Sequence, residues 1–341
     1  MPRFLLVLLL CVPAWCASEA QLRRLLASGA GVIELPPGQI EISAEIALPQ
    51  GARGVEIRGA PEGTTLRASA GFRGRAVLVC RGGARVRLAG FAIDGNRAAL
   101  EVRSGLPPHD TPFARFTPHN GILAENVDGL SVEGVRFRNM AGFAVLVHGG
   151  AGARIRGVTV SDSGSRNAAG RNNTTGGILI EGGTAGFEVL DSVFERVRGN
   201  AVWTHSLYTA PRGSDGLIRG NRFAEIARDA IQVGHATRVR VEENTGERIG
   251  WPVAEVDVEG GGTPVAIDTA GNVDASVYAR NRFEEINGKC IDLDGFHNGA
   301  VRENVCVNRG RAEDYPFGHF GIVMNNTNPD MQSERIVIAR N

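Results

Sequence analysis

Lysine is almost missing from this sequence, because arginine supplies 36 of the 37 basic residues and Lys289 is the one lysine. Such a bias is typical of a GC-rich genome. Net charge is missing as well, since 37 acidic residues balance the 37 basic ones and no run of basic residues occurs. A chain of this kind lacks the electrostatic footprint of proteins that bind nucleic acid or anionic lipid. We therefore expect neither as a partner.

Long hydrophobic runs are scarce too. The one apolar run, from Phe4 to Val12, follows Arg3 and precedes Pro13 and small residues, which is the layout of a secretory signal peptide. It is too short to span a bilayer. We therefore predict a signal peptide over residues 1–20, cleaved after Cys16 or Ala20, and a secreted or periplasmic protein without stable membrane insertion.

Cysteine is also rare, with Cys80, Cys290 and Cys306 left after the leader. Three cysteines are too few for a disulfide scaffold, so a packed core must hold the fold. In an oxidising compartment one pair can bridge. Cys290 and Cys306 fall in the same repeat and are the candidates, and the sequence leaves their pairing open.

What the sequence has in abundance is glycine, with 46 residues, and internal repeats. Short β-branched runs such as Gly177-Ile178-Leu179-Ile180-Glu181 recur every 22 to 35 residues, each followed by a second element such as Ile218-Arg219-Gly220-Asn221-Arg222-Phe223. Alternation with a period of two residues predicts strands. About ten repeated units with short strands predict the coils of one parallel β-solenoid. The segment Gln21–Ser28 is predicted to be a short helix that caps the first coil.

The opening of the predicted solenoid resembles the entry segment of the pectin-lyase-like, right-handed parallel β-helix proteins. The matching segments are Leu22-Arg23-Arg24-Leu25-Leu26, Gly31-Val32-Ile33-Glu34-Leu35-Pro36-Pro37-Gly38 and Val55-Glu56-Ile57-Arg58-Gly59. The later repeats resemble that superfamily's parallel β-helix repeats over residues 21–341. The resemblance implies an all-β, right-handed parallel β-helix. The sequence lacks the Asn-Thr-Asp, Asp-Asp and Gly-His-Gly motifs of polygalacturonases and the Asp-Pro-His-Glu of alginate epimerases.

Alternate residues of each unit's first strand are expected to face solvent in two columns. One column is predicted to contain Leu123, Leu146, Leu179, Trp203, Gln232, Ala266, Asp292 and Val323. The other contains Glu125, His148, Glu181, His205, Gly234, Asp268, Asp294 and Asn325, an acid and imidazole pattern that favours function over a solubilising ladder.

Long insertions lead into these first strands, and such insertions in solenoids tend to border the binding face. Aromatic rings, carboxylates and imidazoles in an open groove suit sugar rings and their hydroxyl groups. We therefore predict a polysaccharide as the partner. The predicted substrate-binding residues are Glu125, His148, Glu181, Trp203, His205, Tyr208, Trp251, Tyr315 and His319. The alternative is that the tryptophans pack insertions against the solenoid.

The predicted catalytic cluster contains Asp268, Asp292 and Asp294, with Lys289, His235 and His297 beside them. Asp292 and Asp294 lie ~6.7 Å apart along one strand, and Asp268 is expected one coil away at ~4.8 Å. Carboxylates this close raise one pKa or bind a cation. One mechanism is acid and base catalysis of an inverting glycoside hydrolysis.

The other mechanism has the three aspartates hold Ca²⁺ while Lys289, His235 or His297 removes a proton next to a uronate. That is β-elimination, which the pectate-lyase resemblance implies, and the sequence favours it slightly. Solvated carboxylates without function are the alternative, as is a non-catalytic glycan-binding or structural surface solenoid. The chain ends mid-coil at Asn341, and both its completeness and its oligomeric state are left open.

Overall fold

The computed structural model describes residues 18–325 and 332–341 and has the predicted architecture of a parallel β-solenoid. Each coil contributes one strand to each of three faces, here called A, B and C in chain order. Equivalent strands of successive coils pair in parallel. Face B has eleven strands, which confirms the expected number of about ten coils. The predicted leader lies almost entirely outside the described residues.

The strand bounds follow the repeats. Two long strands, Gly38–Ala47 and Thr64–Arg81, run from face C onto face A. Face A continues with Asn120–Glu125, Val145–His148, Ile178–Glu181, Val202–His205, Ile231–Thr237, Val265–Asp274, Gly288–Asp294 and His319–Asn325. Face B contains Gly31–Glu34, Arg53–Arg58, Ala84–Ala89, Ser131–Glu133, Arg154–Arg156, Glu188–Leu190, Leu217–Arg219, Arg240–Glu242, Val277–Ala279, Ala300–Arg302 and Val337–Ala339. Face C contains Ala92–Asp94, Arg136–Arg138, Thr159–Ser163, Val193–Val197, Arg222–Ile226, Thr245–Ile249, Arg282–Ile286 and Val305–Val307. Two short strands, Gly213–Ser214 and Phe296–His297, lie between faces A and B.

The repeated Asn-x-Phe element has a separate role for each residue. The phenylalanines point inward and stack along the axis: the ring centroids of Phe194 and Phe223 are 5.2 Å apart, and those of Phe223 and Phe283 are 6.2 Å apart. All three are buried, with at most 1% of their surface exposed. They belong to one continuous apolar core that fills the solenoid.

The asparagines form a buried ladder at the corner between faces B and C. Asn221, Asn244, Asn281 and Asn304 each use Oδ1 or Nδ2 to bind the backbone or side chain of the asparagine in the adjacent coil, and Asn341 ends the series. Each donor to the ladder is 2.8–3.0 Å from its acceptor. The residue before each asparagine has a positive φ, as at Gly220 with φ 68°. The turn is therefore identical from coil to coil, and its buried polar groups are satisfied.

The first coil is capped by the helix Glu19–Leu26, which begins two residues before the predicted start. Ser18 caps the helix by accepting a hydrogen bond from the backbone N–H of Gln21, and Glu19 accepts one from Ser43 Oγ at 2.7 Å. Leu26 is buried against the core. Glu19 and Ala20 therefore belong to the fold, and of the two predicted cleavage points only the one after Cys16 preserves this cap.

The remaining helices are short and lie in insertions: Arg97–Leu100, Phe113–Phe116 and Val258–Gly261, with 3₁₀ turns at Val253–Glu255 and Ala312–Asp314. Cys290 and Cys306 form a disulfide within one coil, with their Cα atoms 6.2 Å apart. Cys80 is buried, and burial raises the pKa of its thiol to about 12.

Within the described ranges, no helix has both the length and the apolarity needed to cross a bilayer.

Candidate active site on face A

The first half of face A is covered by an insertion. Segment 95–119 folds back over the outward side, where the ring of Phe113 lies 4.9 Å from Trp203 and 5.7 Å from Phe143. With the outward leucines of three coils, these rings form a second apolar cluster outside the solenoid core. The predicted open groove is therefore wrong for this half, because the outward column here is apolar and needs a cover to exclude water.

Glu181 holds this cover in place. Its buried carboxylate accepts hydrogen bonds from the backbone N–H groups of Phe113 and Ala114 at 3.0 and 2.7 Å, where the covering helix begins. His148 Nδ1 lies 3.1 Å from the same carboxylate. Glu181 and His148, predicted to bind substrate, are thus committed to fixing the insertion.

Glu125 has a related structural role. Its carboxylate forms ion pairs with Arg75 at 2.8 Å and Arg81 at 3.0 Å. Arg75 also donates a hydrogen bond to the carbonyl oxygen of Ala114 in the cover. In the first half of the acid and imidazole column, Glu125, His148 and Glu181 are therefore bonded to neighbouring side chains or to the cover. The period-two pattern alone did not reveal this cover.

An aromatic cavity of about 340 Å³ opens where the cover ends. Phe113, Trp203, His205 and Tyr208 line it, together with residues 106–111 of the cover. The His205 ring lies 5.1 Å from Trp203, and the Tyr208 ring lies 5.0 Å from His235. Apolar and aromatic walls with a few polar groups are typical of ligand pockets. The structure thus brings together three predicted substrate-binding residues.

Burial lowers the pKa of His205 in the cavity wall and of His235 beside Tyr208, which favours the neutral form of both imidazoles. His235 is 7% exposed, and its Nδ1 has no hydrogen-bond partner among the described residues. The pKa of Tyr208 is raised, first by burial and then by the negative charge of Asp294. The effect of the Asp294 charge on Tyr208 indicates that the cavity lies next to the acidic part of face A.

The acidic part has a different register from the predicted one. Asp268 pairs with Gln232 in one neighbouring coil and with Asp292 in the other, whereas the sequence placed Ala266 in that column. The first outward column therefore runs Trp203, Gln232, Asp268, Asp292 in successive coils. Strand spacing puts the backbones of Asp268 and Asp292 ~4.8 Å apart. Asp268 is thus the direct neighbour of Asp292 and not of Asp294.

A chain of hydrogen bonds positions Asp268. Gln232 Nε2 donates to Asp268 Oδ2 at 2.7 Å, and Asn200 Nδ2 donates to Gln232 Oε1 at 2.6 Å. Burial, followed by the charges of Asp229 and Asp292, raises the pKa of Asp268 well above its ordinary value. These surroundings favour the protonated form of the carboxyl group.

Asp292 has the opposite surroundings. Lys289 Nζ lies 2.5 Å from Asp292 Oδ2. Asn325 Nδ2 donates to Oδ1 at 2.9 Å and to Oδ2 at 3.1 Å. An ammonium ion and an amide donor suit a carboxylate anion. The lone lysine of the chain thus lies in the centre of the site.

Sequence reasoning missed Asp229, the third member of the carboxylate cluster formed with Asp268 and Asp292. It is 4% exposed and accepts a hydrogen bond from the backbone N–H of Val265 at 3.0 Å. Burial raises its pKa to about 6, although Arg228 opposes the shift. Its position in the repeat could have identified it. Asp229 comes two residues before the inward Ile231, as Lys289 comes two residues before the inward Ile291.

The predicted calcium site does not fit this geometry. Lys289 and Asn325 bind both oxygens of Asp292. The ammonium group of Lys289 therefore occupies the position beside this carboxylate that a calcium ion would need. Across residues 18–325 and 332–341, no group of three or more Asp, Glu, His or Cys is arranged to hold a metal ion. Asp294 is half-buried two residues beyond Asp292. His297 lies past the next corner, between Asp274 and Glu334 of neighbouring coils, so the structure does not bring it to the cluster.

Three other predicted substrate-binding residues lie elsewhere. Trp251 lines a separate cavity on the outside of the corner between faces C and A. Tyr315 is 4% exposed and donates its hydroxyl hydrogen to Glu285 at 2.5 Å, which fixes its own insertion. His319 is exposed at the start of the last face A strand and stacks on Tyr315 at 6.2 Å. None of the three lines the aromatic cavity.

A family model described as a right-handed beta helix region matches residues 114–263. This match agrees with the three-faced parallel stack and assigns its hand. The protein has a right-handed parallel β-helix fold. The predicted resemblance to right-handed parallel β-helix proteins and the predicted fold class, including the N-terminal capping helix, are both confirmed. No curated protein sequence matches this β-helix protein.

Solved structures resemble the β-helix at low sequence identity. One is ORF18 of Geobacillus virus E2, with a TM-score of 0.57 and 14% identity over 88% of this chain, which spans 52% of the viral chain. Another is the Streptococcus pneumoniae surface protein and adhesin PfbA, with a TM-score of 0.54, 10% identity and 94% and 96% of the two chains covered. A third is an alginate lyase from Paenibacillus sp. str. FPU-7, with a TM-score of 0.52, 13% identity and 91% and 97% covered. Similarity at this level concerns the fold.

Proposed function

We propose that this β-helix protein is an exported glycoside hydrolase that cleaves a polysaccharide lying along face A. The observation that carries the proposal is the pair of adjacent carboxyl groups with unlike surroundings. The raised pKa of Asp268 favours its protonated form, whereas Asp292 faces the ammonium of Lys289. Paired carboxyl groups whose environments differ in this way divide the roles of acid and base in catalysis.

In the proposed reaction, Asp268 donates its proton to the glycosidic oxygen while an Asp292 oxygen bonds to the anomeric carbon. The bond between that carbon and the glycosidic oxygen breaks, and the leaving sugar departs with the proton. Asp268, now ionised, then takes a proton from water as the water oxygen attacks the anomeric carbon. This second step breaks the bond to Asp292 and restores both carboxyl groups.

The corrected register also predicts the stereochemistry. Retaining glycosidases have carboxyl groups ~5–5.5 Å apart, whereas inverting ones need ~6.5–9.5 Å. The ~4.8 Å strand spacing between Asp268 and Asp292 favours retention. The sequence had suggested an inverting pair of aspartates without assigning which two of Asp268, Asp292 and Asp294 form it.

The aromatic cavity supplies a place for a neighbouring sugar. Trp203 precedes Asp268 by two coils in the same outward column, or ~10 Å along the axis. A polysaccharide parallel to the axis would place one ring against Trp203 and Tyr208 and a more distant glycosidic bond near the carboxylates. The cavity is largely apolar, which suits the C–H face of a sugar ring.

A second candidate function is β-elimination, which the sequence favoured. The observation in its favour is the pair formed by Tyr208 and His235, whose rings are 5.0 Å apart. His235 is neutral, because burial lowers its pKa, and can accept a proton. Among the similar structures, one is an alginate lyase and another an adhesin, so binding without cleavage is the outcome that would refute both enzymatic candidates.

The test is a panel of neutral and uronate polysaccharides, with new reducing ends and ultraviolet absorbance read in parallel. Hydrolysis gives reducing ends without an absorbing product, and NMR of early product shows retained configuration. Asp268→Asn and Asp292→Asn should each lower kcat by roughly 100-fold or more. Asp215→Asn removes a surface carboxylate paired with Arg238 and is the matched control.

Two results would contradict the hydrolase. An absorbing unsaturated product that is lost in His235→Asn and kept in Asp292→Asn would establish elimination. No cleavage of any polymer, with tight binding to one, would establish a glycan-binding solenoid.

Export is part of the proposal, supported by the layout of residues 1–20 and by the disulfide Cys290–Cys306. Disulfides persist in oxidising compartments. Cell fractionation with thiol labelling tests it, because a reduced protein in the cytoplasm would contradict export.

A further inference from the structure

A second cleft lies on the outside of the corner between faces C and A, and it shares no lining residue with the aromatic cavity. It consists of two cavities of about 330 and 210 Å³. Arg97 and Arg198 line both cavities, so the two guanidinium groups stand between them. The cleft is walled by the three insertions 95–119, 164–177 and 250–264.

These walls are cross-linked to one another. Arg198 forms ion pairs with Glu101 at 3.2 Å and with Glu255 at 3.0 Å. Arg166 binds the second oxygen of Glu255 at 2.7 Å. The backbone N–H of Asn172 donates to the carbonyl oxygen of Glu255 at 2.6 Å. The cleft is therefore built from fixed segments of the insertions.

The acids of the cleft are neutralised by arginines other than Arg97. Each has at least one guanidinium partner within 4 Å, in the pairs Arg138–Asp94, Arg198–Glu101, Arg196–Asp162, Arg248–Glu225 and Arg166–Glu255. Arg97 has no carboxylate within 4 Å among the described residues. Its hydrogen bond is to the carbonyl oxygen of Gly164, at 3.4 Å. The half-buried guanidinium of Arg97 thus retains donors for an external anion.

Trp251 adds an aromatic surface and a second unused donor. Its indole lines the 210 Å³ cavity, and the guanidinium of Arg248 lies 5.0 Å from the ring centroid. Indole Nε1 is buried and has no acceptor among the described residues. A buried N–H without an acceptor is unfavourable, and an oxygen of a ligand would satisfy it.

We propose that this cleft binds an acidic sugar residue, with its carboxylate on Arg97, its ring against Trp251 and a ring oxygen or hydroxyl accepting from Trp251 Nε1. Arg97 supplies the planar donor pair that a carboxylate accepts in bidentate fashion. The carboxylates around Arg97 are ion-paired with other arginines. The cleft is an anchoring site for acidic glycan outside face A, and it does not depend on cleavage at Asp268 and Asp292.

The experiment is calorimetric titration of the full-length protein with digalacturonate, with its neutral counterpart digalactose, and with inorganic sulfate. Digalacturonate should bind, and Arg97→Met should weaken binding by roughly 10- to 100-fold. Trp251→Phe keeps a ring but loses the N–H and should weaken binding by a few fold, and Trp251→Leu by more. Arg53→Met, which removes an exposed guanidinium from face B, is the matched control and should bind like the parent.

Each other outcome overturns the proposal. Equal affinity of Arg97→Met and the parent, or no binding of digalacturonate, removes the site. Binding of sulfate or digalactose as tight as that of digalacturonate assigns the cleft to inorganic anions or to neutral sugars. The cleft proposal is read from the affinity of Arg97→Met for digalacturonate and the hydrolase proposal from the kcat of Asp292→Asn, so the failure of one is distinguishable from the failure of the other.

Discussion

Replacing Asp229 by asparagine should make the folded protein more stable at neutral pH. The carboxyl group of Asp229 is buried beside the other two carboxylates, and its pKa is raised from 3.8 to about 6. A raised pKa means that the folded protein binds the proton more tightly than the unfolded chain does. Stability from this group is therefore fully present below pH 3.8 and is lost as the pH rises through 6.

The size of the effect follows from the two pKa values. Between pH 3.8 and 6 the loss is about 1.4 kcal/mol per pH unit, or about 3 kcal/mol at pH 7 and above. The uncharged amide of Asp229→Asn avoids this loss, and its side-chain oxygen still accepts the hydrogen bond from Val265. Removing the charge also lowers the pKa of Asp268, which Asp229 helps to raise.

The measurement is urea unfolding of Asp229→Asn and the parent from pH 4 to pH 8. The two should have equal unfolding free energies near pH 4, and the variant should gain up to about 3 kcal/mol by pH 7, or roughly 4 °C in Tm for a chain of this length. Asp215→Asn is the control with the opposite sign, because the hydrogen bond from Arg238 lowers the pKa of Asp215. The reasoning would be refuted if the difference in unfolding free energy between Asp229→Asn and the parent became smaller or negative from pH 4 to pH 7.

Three further predictions test the cover, the asparagine ladder and the disulfide. Glu181→Gln should lose about 1.5–3 kcal/mol of stability, because it weakens two charge-assisted hydrogen bonds to the covering helix. A red shift of Trp203 fluorescence should accompany the loss, and an unchanged spectrum would count against the cover. Asn281→Ala should cost about 1–3 kcal/mol for each buried donor of Asn244 that is left without an acceptor. Urea unfolding measures this cost, and an unchanged free energy of unfolding would contradict the ladder. Replacing Cys290 and Cys306 together by serine should cost about 3 kcal/mol, from the loop they close, and a Tm equal to that of the parent would contradict it.

The fold was predictable because its repeats are local. Inward Ile and Phe residues and corner Asn and Gly residues recur with the period of the coil, and each coil buries them in the same way. The predicted register was wrong at Val265–Asp268, where the local pattern is ambiguous. Val265 and Ile267 are both apolar, so either can align with the inward residue, and the long insertion before them removes the spacing that would decide. That choice placed Asp268 beside the wrong aspartate.

The site was only partly predictable, because its walls are not periodic. The four-residue covering helix Phe113–Phe116 is too short to have a helical pattern, so the burial of Glu181 beneath it had no local signal. Trp251 and Tyr315 were assigned to the groove because their insertions flank face A. The direction in which an insertion folds depends on ion pairs with distant coils, such as Arg198 with Glu255, and no spacing within the insertion specifies them.

The asparagine ladder has a consequence for how this molecule tolerates change in length. Each rung joins the two-residue turn between faces B and C to the same turn in the next coil. An added residue there would break two rungs at once, whereas the corner between faces C and A already contains insertions of very different sizes. Grafted peptides or whole binding modules should therefore be accepted at the second corner and rejected at the first. The corner between faces B and C therefore keeps the spacing of the coils constant. The insertions at the corner between faces C and A can change in length and in what they bind without altering the stack of coils.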